Sequence, residues 1–375
     1  MKIALCLYKY FPYGGLQRNF LTIAEELIGR GHNVRVYTGE WDGPCPDQLA
    51  VTTLPVTGTT NHGRNRHFSS LLQAALLKQP VDLVVGFNKM PSLDVYYCAD
   101  TCFATKAYED KNWLYRLSPR SRWSINFERA VFGPETNTEV LLLSSDQGEA
   151  FTQYYGTASE RMHLMPPGIS RSRVRDKDSE RLASTVRSEL GIGCNEKVIA
   201  FLGSDYKRKG LDRLLKAMAS LPAALQANTK VLVIGRDKHS KGYENLASKL
   251  GIRDRVIFVG QRDDVPALLF ASDILAHPAY LENTGNVILE AAVAGLPVIC
   301  SGICGYAFYI ENNQLGAVTP EPFDQTVMNR QLAELMASQI PWRERCAQFA
   351  ISADIYSRPQ RITEKIEEIG AAKCQ

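Results

Sequence analysis

Short apolar runs alternate with amphipathic segments along the first half of the chain. Residues 2–7 and 33–38 form apolar runs, and between them lie a glycine-containing loop and an amphipathic segment at 16–29. Apolar runs of this length favour buried strands, and apolar residues three to four positions apart favour a helix. The order therefore predicts a βαβ unit and a parallel sheet. Further strands are expected at 82–86, 95–99, 139–144 and 162–165.

The alternation stops near 166–168, and a polar, charged stretch at 170–189 separates it from a second series. Strands are expected there at 198–202, 231–234, 256–259, 274–277 and 298–300. We therefore predict an α/β protein with two Rossmann-like, doubly wound domains, residues 1–168 and 169–356, facing each other across a ligand-binding cleft. The helical tail at about 357–375 is a candidate to pack back on the first domain.

Composition narrows the class of protein. The chain has 375 residues, of which 45% are apolar and 22% charged, and this suits two globular domains. A net charge of +3 gives no indication of a nucleic-acid partner. Because no apolar stretch is long enough to span a membrane and no cleavable leader is recognisable, we expect a cytoplasmic protein. The nine cysteines form no Cys-x-x-Cys pair, and several lie in apolar runs, so we expect a reduced protein without disulfides. Cys98 with Cys102 and Cys300 with Cys304 lie four residues apart, but no histidine completes a set of ligands, so we expect neither a metal nor another cofactor.

Two loops between a strand and a helix could bind phosphate. Gly14 and Gly15 precede the first helix, where missing side chains would let a ligand oxygen approach backbone N–H groups. Arg208 and Lys209 follow the first strand of the second domain, where two cations could neutralise a diphosphate without a metal ion. Neither loop has the Gly-x-Gly-x-x-Gly pattern of dinucleotide-binding enzymes. A turn that serves only the fold and a solvated basic turn are the alternatives.

A later loop contains a second set of candidate residues. A strand is expected to end at His277, the loop carries Glu282, and Gly285 and Asn286 open a helix whose N–H groups could bind phosphate. Glu290 lies one helical turn further along, and its carboxylate could accept hydrogen bonds from two vicinal ribose hydroxyls. Glu282 could do the same for sugar hydroxyls. A pair of surface glutamates without a ligand is the alternative.

This loop resembles the retaining glycosyltransferases of family 4 with the GT-B fold, which have two glutamates eight residues apart at this place. Blocks along nearly the whole chain resemble the lipopolysaccharide core glucosyltransferases of that family. They are LYKYFPYGGLQRNF, GRGHNVRVYT, VVGFNKMPSLDVYY, LYRLSPRSRWSINFERAVF and CGYAFYI. The resemblance implies a GT-B fold, a UDP-sugar donor, no metal ion, retention at the anomeric carbon, and inner-core heptose of lipid A as acceptor.

The resemblance also implies roles for single residues. Gly15 would contact the diphosphate or the sugar, and Arg262 would lie near uracil. Asp100 stands where family members place an active-site polar residue, although an aspartate that caps a helix or turn is an equal alternative. The implied catalytic residues are Asp100, Glu282 at the transferred sugar, and Arg208 and Lys209 at the diphosphate. The expected UDP-sugar contacts are Gly14, Gly15, Gly203, Ser204, Arg208, Lys209, Arg262, Glu282, Asn283, Thr284, Gly285, Asn286, Val287 and, at the ribose, Glu290.

The chain departs from the family pattern in two places. Asn283, Thr284 and Asn286 add amide and hydroxyl groups where relatives commonly have small apolar residues and glycine. A galacto-configured or N-acetylated hexose is therefore as plausible a donor as glucose. Asn19 replaces an acidic residue expected in the first helix, which leaves open whether that helix contacts the acceptor through an acid.

Residues 111–123 combine cations with aromatic rings and contain no acid. Such a composition is typical of a segment at a lipid headgroup surface, where each cation contributes about 1 kcal/mol. We therefore expect peripheral attachment to an anionic lipid surface, and the resemblance to lipopolysaccharide core glucosyltransferases implies that this surface is the inner face of the inner membrane. The expected contacts are Lys111, Trp113, Arg116, Arg120, Arg122 and Trp123. A solvated face with inward-packed tryptophans and an RNA-binding surface are the alternatives.

Three functions remain in competition at this point. Glycosyl transfer from a UDP-sugar to a lipid-linked heptose is the leading hypothesis. A nucleotide-sugar epimerase has the same two-domain architecture but needs an acid and a base beside the sugar. A non-catalytic, membrane-associated protein that binds sugar nucleotides is the third.

Overall fold

The computed structural model describes residues 1–12, 14–109 and 111–373. They divide into two compact units, Met1–Gly168 with Ile355–Gln375, and Ile169–Asp354. No helix among these residues is both long and apolar enough to cross a membrane.

The N-terminal unit is built on a seven-stranded parallel sheet with the order β3-β2-β1-β4-β5-β6-β7. Its strands are β1 (Lys2–Leu7), β2 (Asn33–Thr38), β3 (Ala50–Thr53), β4 (Leu83–Gly86), β5 (Val95–Cys98), β6 (Glu139–Leu142) and β7 (Met162–Leu164). Its first six helices are α1 (Gly15–Gly29), α2 (Asn61–Lys78), α3 (Phe103–Tyr108), α4 (Trp113–Leu117), α5 (Pro119–Phe132) and α6 (Ser145–Tyr155).

The second unit has a six-stranded parallel sheet with the order β10-β9-β8-β11-β12-β13. Its strands are β8 (Lys197–Leu202), β9 (Thr229–Ile234), β10 (Val256–Gly260), β11 (Ile274–His277), β12 (Val298–Ser301) and β13 (Gly316–Thr319). Its helices are α7 (Ser179–Glu189), α8 (Tyr206–Lys209), α9 (Leu211–Ala219), α10 (Ala223–Ala227), α11 (Ser240–Lys249), α12 (Val265–Phe270), α13 (Asn286–Val293), α14 (Ala307–Asn312), α15 (Gln325–Ala337) and α16 (Trp342–Ser352).

The last helix, α17 (Arg358–Lys373), belongs to the N-terminal unit and packs against α1. Ile362 and Ile366 are buried in the same apolar cluster as Leu5 of β1. Gly370 permits the close approach, because a Cβ there would lie 2.4 Å from the Met1 sulfur. The tail therefore contains two helices, α16 in the second unit and α17 in the first.

Both units have the predicted Rossmann-like α/β architecture, but several elements were not expected from the sequence, among them β3, β13 and α7. The strands β3 and β13 lie at the edges of their sheets, where partial exposure removes the continuous apolar run that marks a buried strand. Helix α7 lies within the polar stretch at 170–189 and buries little more than Ala183 and Val186. With so few buried positions, the apolar residues of this segment show no clear helical period, and the sequence therefore did not predict the helix.

Candidate active site

The two predicted phosphate-binding cations lie on a single short turn of helix. Asp205, at the left-handed φ of 59°, precedes α8, and its carboxylate accepts a hydrogen bond from the Arg208 backbone N–H. Gly210, at φ 79°, ends this turn and begins α9. The chain thus turns at two left-handed residues, Asp205 and Gly210, and the short helix between them places Arg208 and Lys209 just after the carboxyl end of β8.

This loop lies directly against the loop that follows β11. A Cβ on Gly210 would lie 1.9 Å from the Pro278 carbonyl oxygen, so only glycine permits the contact. The Tyr280 N–H donates to the Arg208 carbonyl at 2.8 Å, and Arg213 donates to the Ala279 carbonyl at 2.8 Å. These contacts hold the loops after two neighbouring strands together.

Glu282 is the centre of the resulting cluster. Its Oε2 contacts the Lys209 ammonium and lies 3.8 Å from Nη1 of Arg208. The same oxygen is 3.1 Å from Nε2 of the fully buried His277. The Lys209 and Glu282 side chains are only 11% and 10% exposed. The structure therefore brings together Arg208, Lys209 and Glu282, three residues that the sequence predicted for one site.

The charges of this cluster affect one another. Burial, and after it the Arg208 cation, lower the pKa of Lys209 to about 8, while the adjoining Glu282 carboxylate favours the charged ammonium. Burial, followed by Lys209 and Arg208, holds the pKa of His277 well below its usual value. His277 is therefore neutral, and we assign its proton to Nε2, which donates to Glu282. The cluster consists of two cations, the Glu282 carboxylate and a neutral imidazole, and Arg208 also pairs with the Asp205 carboxylate at 3.3 Å.

Helix α13 begins directly beside this cluster. Gly285, at φ 84°, precedes it, and the Thr284 carbonyl accepts from the Tyr306 N–H at 2.8 Å. Asn286 Oδ1 is buried and has no hydrogen-bond partner within the described residues. Glu290 lies one turn further along and pairs with Arg173, with 3.5 Å between Oε2 and Nε.

The remaining candidates of the second unit differ in their surroundings. Gly203 has a φ of 152° and packs beside the Lys209 side chain, whereas Ser204 is exposed and Val287 is half-buried. Arg262 pairs with Glu189 and Asp264, each at 2.7 Å, and both carboxylates raise the pKa of its guanidinium. These two carboxylates account for the present contacts of Arg262, and the structure does not bring it into the Glu282 cluster.

In the N-terminal unit, the two loop glycines have different surroundings. A Cβ on Gly14 would lie 1.8 Å from the Oε1 atom of Gln17 and 2.8 Å from the Phe11 ring, so both side chains would have to shift to admit a larger residue there. A Cβ on Gly15 would meet nothing within 4 Å, which leaves open space at the start of α1. Asn19 donates to the Tyr97 hydroxyl at 3.0 Å.

Asp100 is exposed on a firmly held segment. Its carbonyl accepts from the Gln147 amide at 3.1 Å, and the neighbouring Thr101 carbonyl accepts from Lys89 Nζ at 2.8 Å. Lys89 forms an ion pair with the fully buried Glu128 of α5. Glu128 also accepts from the Phe103 N–H at 2.6 Å at the start of α3.

The basic and aromatic segment at 111–123 spans α4 and the first part of α5. Pro119 occupies the first turn of α5, which separates the two helices. Trp113 is 64% exposed, with Leu114 and Leu117 also exposed. Lys111, Arg120 and Arg122 are exposed, whereas Arg116 covers the Tyr108 ring and Trp123 is half-buried under Arg66.

Sequence reasoning missed two residues that contact the candidate carboxylates. His277 was identified only as a strand end, and Arg173 lies in a stretch treated as a boundary between domains. A histidine at the last position of a buried strand, five residues before Glu282, was the available signal for the first. No local pattern indicates that Arg173 pairs with Glu290, because the two lie far apart along the chain.

Comparison with known proteins places the chain in a family. Models described as "Glycosyl transferases group 1" and "Glycosyltransferase Family 4" match residues 184–353 and 13–173. The lipopolysaccharide glucosyltransferase WaaG of Escherichia coli K12 is 43% identical over 369 residues, which cover 98% of each chain. The crystal structure of WaaG superposes with a TM-score of 0.90 at 43% identity, covering 97% of this chain and 99% of that one. HepE from Anabaena, solved with UDP and glucose, has a TM-score of 0.73 at 20% identity, over 98% of this chain and all of that one, and supports the fold alone.

Two parallel-sheet, Rossmann-like units with these structural neighbours define a glycosyltransferase of the GT-B class. The high identity over nearly the full length identifies the group more closely. The chain belongs to glycosyltransferase family 4.

We predict that Gly210→Ala destabilises the second unit. The methyl group would overlap the Pro278 carbonyl, and alanine resists the positive φ, so the free energy of unfolding should fall by more than about 1 kcal/mol. Gly242→Ala in α11 is the matched control, since its Cβ would meet no atom within 4 Å. Thermal unfolding of both variants checks the prediction, and equal melting temperatures would contradict it.

Proposed function

We propose that the protein transfers glucose from UDP-glucose to a heptose of the lipopolysaccharide inner core, with retention at the anomeric carbon and without a metal ion. The observation that carries the proposal is the Arg208, Lys209 and Glu282 cluster beside the start of α13, in a chain 43% identical to a lipopolysaccharide glucosyltransferase. That relationship favours glucose over the galacto-configured and N-acetylated donors.

The donor site is proposed in the second unit. Arg208 and Lys209 hold the diphosphate, the backbone N–H groups from Asn286 onward supplement them, and Glu290 accepts the ribose hydroxyls. Glu282 binds hydroxyls of the sugar. Arg208 and Lys209 both lie beside Glu282 and the start of α13, and this placement supports charge stabilisation by the two cations. Gly15 is proposed to contact the diphosphate or the sugar, and Arg262 is proposed to lie near uracil. Asp100 is proposed to lie on the acceptor side of the reaction.

The reaction is proposed to proceed by attack from the face on which the diphosphate leaves. The acceptor hydroxyl oxygen bonds to the anomeric carbon, the bond from that carbon to the β-phosphate oxygen breaks, and this oxygen takes the hydroxyl proton. Lys209 and Arg208 stabilise the charge that grows on the leaving diphosphate. To do so, Lys209 turns from Glu282 to phosphate, which leaves Glu282 free for sugar hydroxyls. Asp100 has a positioning role.

Membrane attachment is proposed for α4 and α5. The exposed Trp113, Leu114 and Leu117 form an apolar ridge, and Lys111, Arg120 and Arg122 surround it with positive charge. Apolar side chains flanked by cations fit a surface of anionic lipid headgroups. The proposed location is the cytoplasmic face of the inner membrane, where the lipid-linked acceptor is held.

The activity test combines a donor screen with heptose-terminated lipopolysaccharide as acceptor. We expect transfer from UDP-glucose, little from UDP-galactose or the N-acetylated donors, an α-linked product by NMR, and unchanged rates in EDTA. Asp100→Ala should reduce turnover only modestly. An epimerised donor, a β-linked product, a sugar trapped on Asp100, or activity restored only by magnesium or manganese would contradict the proposal.

Glu290→Ala and Glu282→Ala should affect different measurements. Loss of the ribose contact should weaken UDP binding by about 1.5 to 3 kcal/mol, or more than tenfold. Glu282→Ala should lower turnover with UDP-glucose and leave UDP affinity unchanged or higher, because it frees Lys209. Glu334→Ala on the exposed face of α15 is the control. Calorimetry with UDP and initial rates separate the two roles, and equal losses of UDP affinity would refute the division.

Binding to vesicles should depend on charge and salt. We expect sedimentation with anionic vesicles, release in high salt, and about 100-fold weaker binding when the exposed Lys111, Arg120 and Arg122 are changed to glutamine, at about 1 kcal/mol per cation. A matched triple change at the exposed Arg181, Lys249 and Arg330 should have little effect. Equally tight binding to neutral vesicles would contradict the proposal.

A further inference from the structure

A groove with a volume of about 280 Å³ opens in the N-terminal unit at the carboxyl ends of β1 and β2. Tyr8 and Lys9 follow β1, Glu40 follows β2, and Asn61, Arg64 and Asn65 of α2 complete the polar lining. Ligands of α/β folds bind at this edge of the sheet. The volume is near the lower end for ligand pockets, which suits a single sugar unit. No residue of the donor site lines this groove.

The apolar wall of the groove is already in place. The Tyr8 backbone N–H donates to Asn88 at 2.8 Å, and its hydroxyl donates to the Lys89 carbonyl at 2.7 Å. The Tyr8 ring packs edge-on against the buried Phe68, with 5.3 Å between centroids. An aromatic wall held at both ends needs no rearrangement to receive a ligand.

The polar side of the groove has unused hydrogen-bonding capacity. Across residues 1–12, 14–109 and 111–373, the side-chain amides of Asn61 and Asn65 have no hydrogen-bond partner. Lys9 pairs with Glu40 at 2.6 Å, but Arg64 reaches that carboxylate only at 3.9 Å, so its guanidinium N–H groups stay available. Two cations face one carboxylate, and the first turn of α2 has no acid. The groove therefore has an excess of positive charge.

We propose that this groove binds an anionic saccharide unit of the acceptor. Arg64, assisted by Lys9, pairs with a carboxylate or phosphate of that unit, and Asn61 and Asn65 hydrogen-bond its hydroxyls. Arg64 supplies the specificity because its planar guanidinium matches both anions. This inference rests on the proposed transfer to a lipopolysaccharide acceptor.

The groove is also linked to the segment that carries Asp100. The Lys89 carbonyl accepts from the Tyr8 hydroxyl, and the Lys89 ammonium donates to the Thr101 carbonyl. One residue thus joins the groove wall to the neighbour of Asp100. A saccharide anchored at Arg64 therefore extends along Tyr8 toward Asp100, where the proposed function places the acceptor side of the reaction.

The test uses two variants that change charge in different ways. Arg64→Gln removes the cation, and Asn65→Asp adds a negative charge with almost no change in size. Arg64→Lys keeps the charge, and Lys78→Gln in the last turn of α2 is the control outside the groove. Initial rates are measured in detergent, which removes any effect of membrane attachment. The acceptor is heptose-terminated lipopolysaccharide, used intact, freed of phosphate, or with its carboxyls reduced.

We expect both charge changes to raise the acceptor KM about tenfold with intact acceptor and to leave kcat, the donor KM and UDP-glucose hydrolysis within twofold. Arg64→Lys should recover only part of the loss, because it keeps the charge without the planar guanidinium, and Lys78→Gln should match the wild type. Removing the recognised anion from the acceptor should raise the wild-type KM and abolish its difference from both variants. Whichever treatment does so identifies phosphate or carboxylate as the source.

Two results would overturn the inference while leaving the proposed function intact: variants that behave like Lys78→Gln, or a loss of the same size with all three acceptors. A wild-type enzyme that hydrolyses UDP-glucose but glucosylates none of the acceptors would reject the proposed acceptor, and the subsite with it. Circular dichroism and UDP affinity establish that each variant is folded.

Discussion

The contact between Gly210 and the Pro278 carbonyl is the constraint on which the rest of the candidate site depends. It brings the loop after β8 against the loop after β11 at a distance that no side chain allows. The hydrogen bond from Tyr280 to the Arg208 carbonyl then fixes the direction of α8. Backbone packing, rather than attraction between charges, thereby sets where Arg208 and Lys209 stand relative to Glu282.

Carboxylates satisfy the charges of this site in the absence of a ligand, because Glu282 contacts both cations and Asp205 also pairs with Arg208. Two buried or half-buried cations without a partner would be costly, and Glu282 removes that cost while keeping both in place. His277, neutral because it is buried between these groups, orients the carboxylate without adding charge. In the proposed reaction the donor diphosphate replaces the Glu282 carboxylate as the partner of Lys209, so that cations already in place meet the new anion, as electrostatic preorganisation requires.

The N-terminal unit contains a comparable device in a different role. The ion pair between Lys89 and the buried Glu128 joins α5 of the basic and aromatic segment to the segment after Asp100. Glu128 is also hydrogen-bonded to Tyr155 at 2.7 Å and to the start of α3. An ion pair buried to this degree is tolerated only with such complete hydrogen bonding. The helices proposed to meet the membrane therefore rest on the same residues that hold the loop of Asp100.

Local pattern in the sequence determined the two parallel sheets, because apolar runs and helical periods report directly on burial. It also singled out Glu282 and Glu290 as candidates, through a strand end followed by a glycine and a helix start, and the resemblance to family 4 added the significance of their eight-residue spacing. Only the tertiary structure decided which groups meet these residues. Three ion pairs join positions that are far apart in the chain. They are Glu290 with Arg173, Arg262 with Glu189, and Lys89 with Glu128. The edge strands β3 and β13 were not predicted, for a related reason. Their position at the edge of a sheet depends on the packing of other strands, and their own residues are too exposed to form the apolar run of a buried strand.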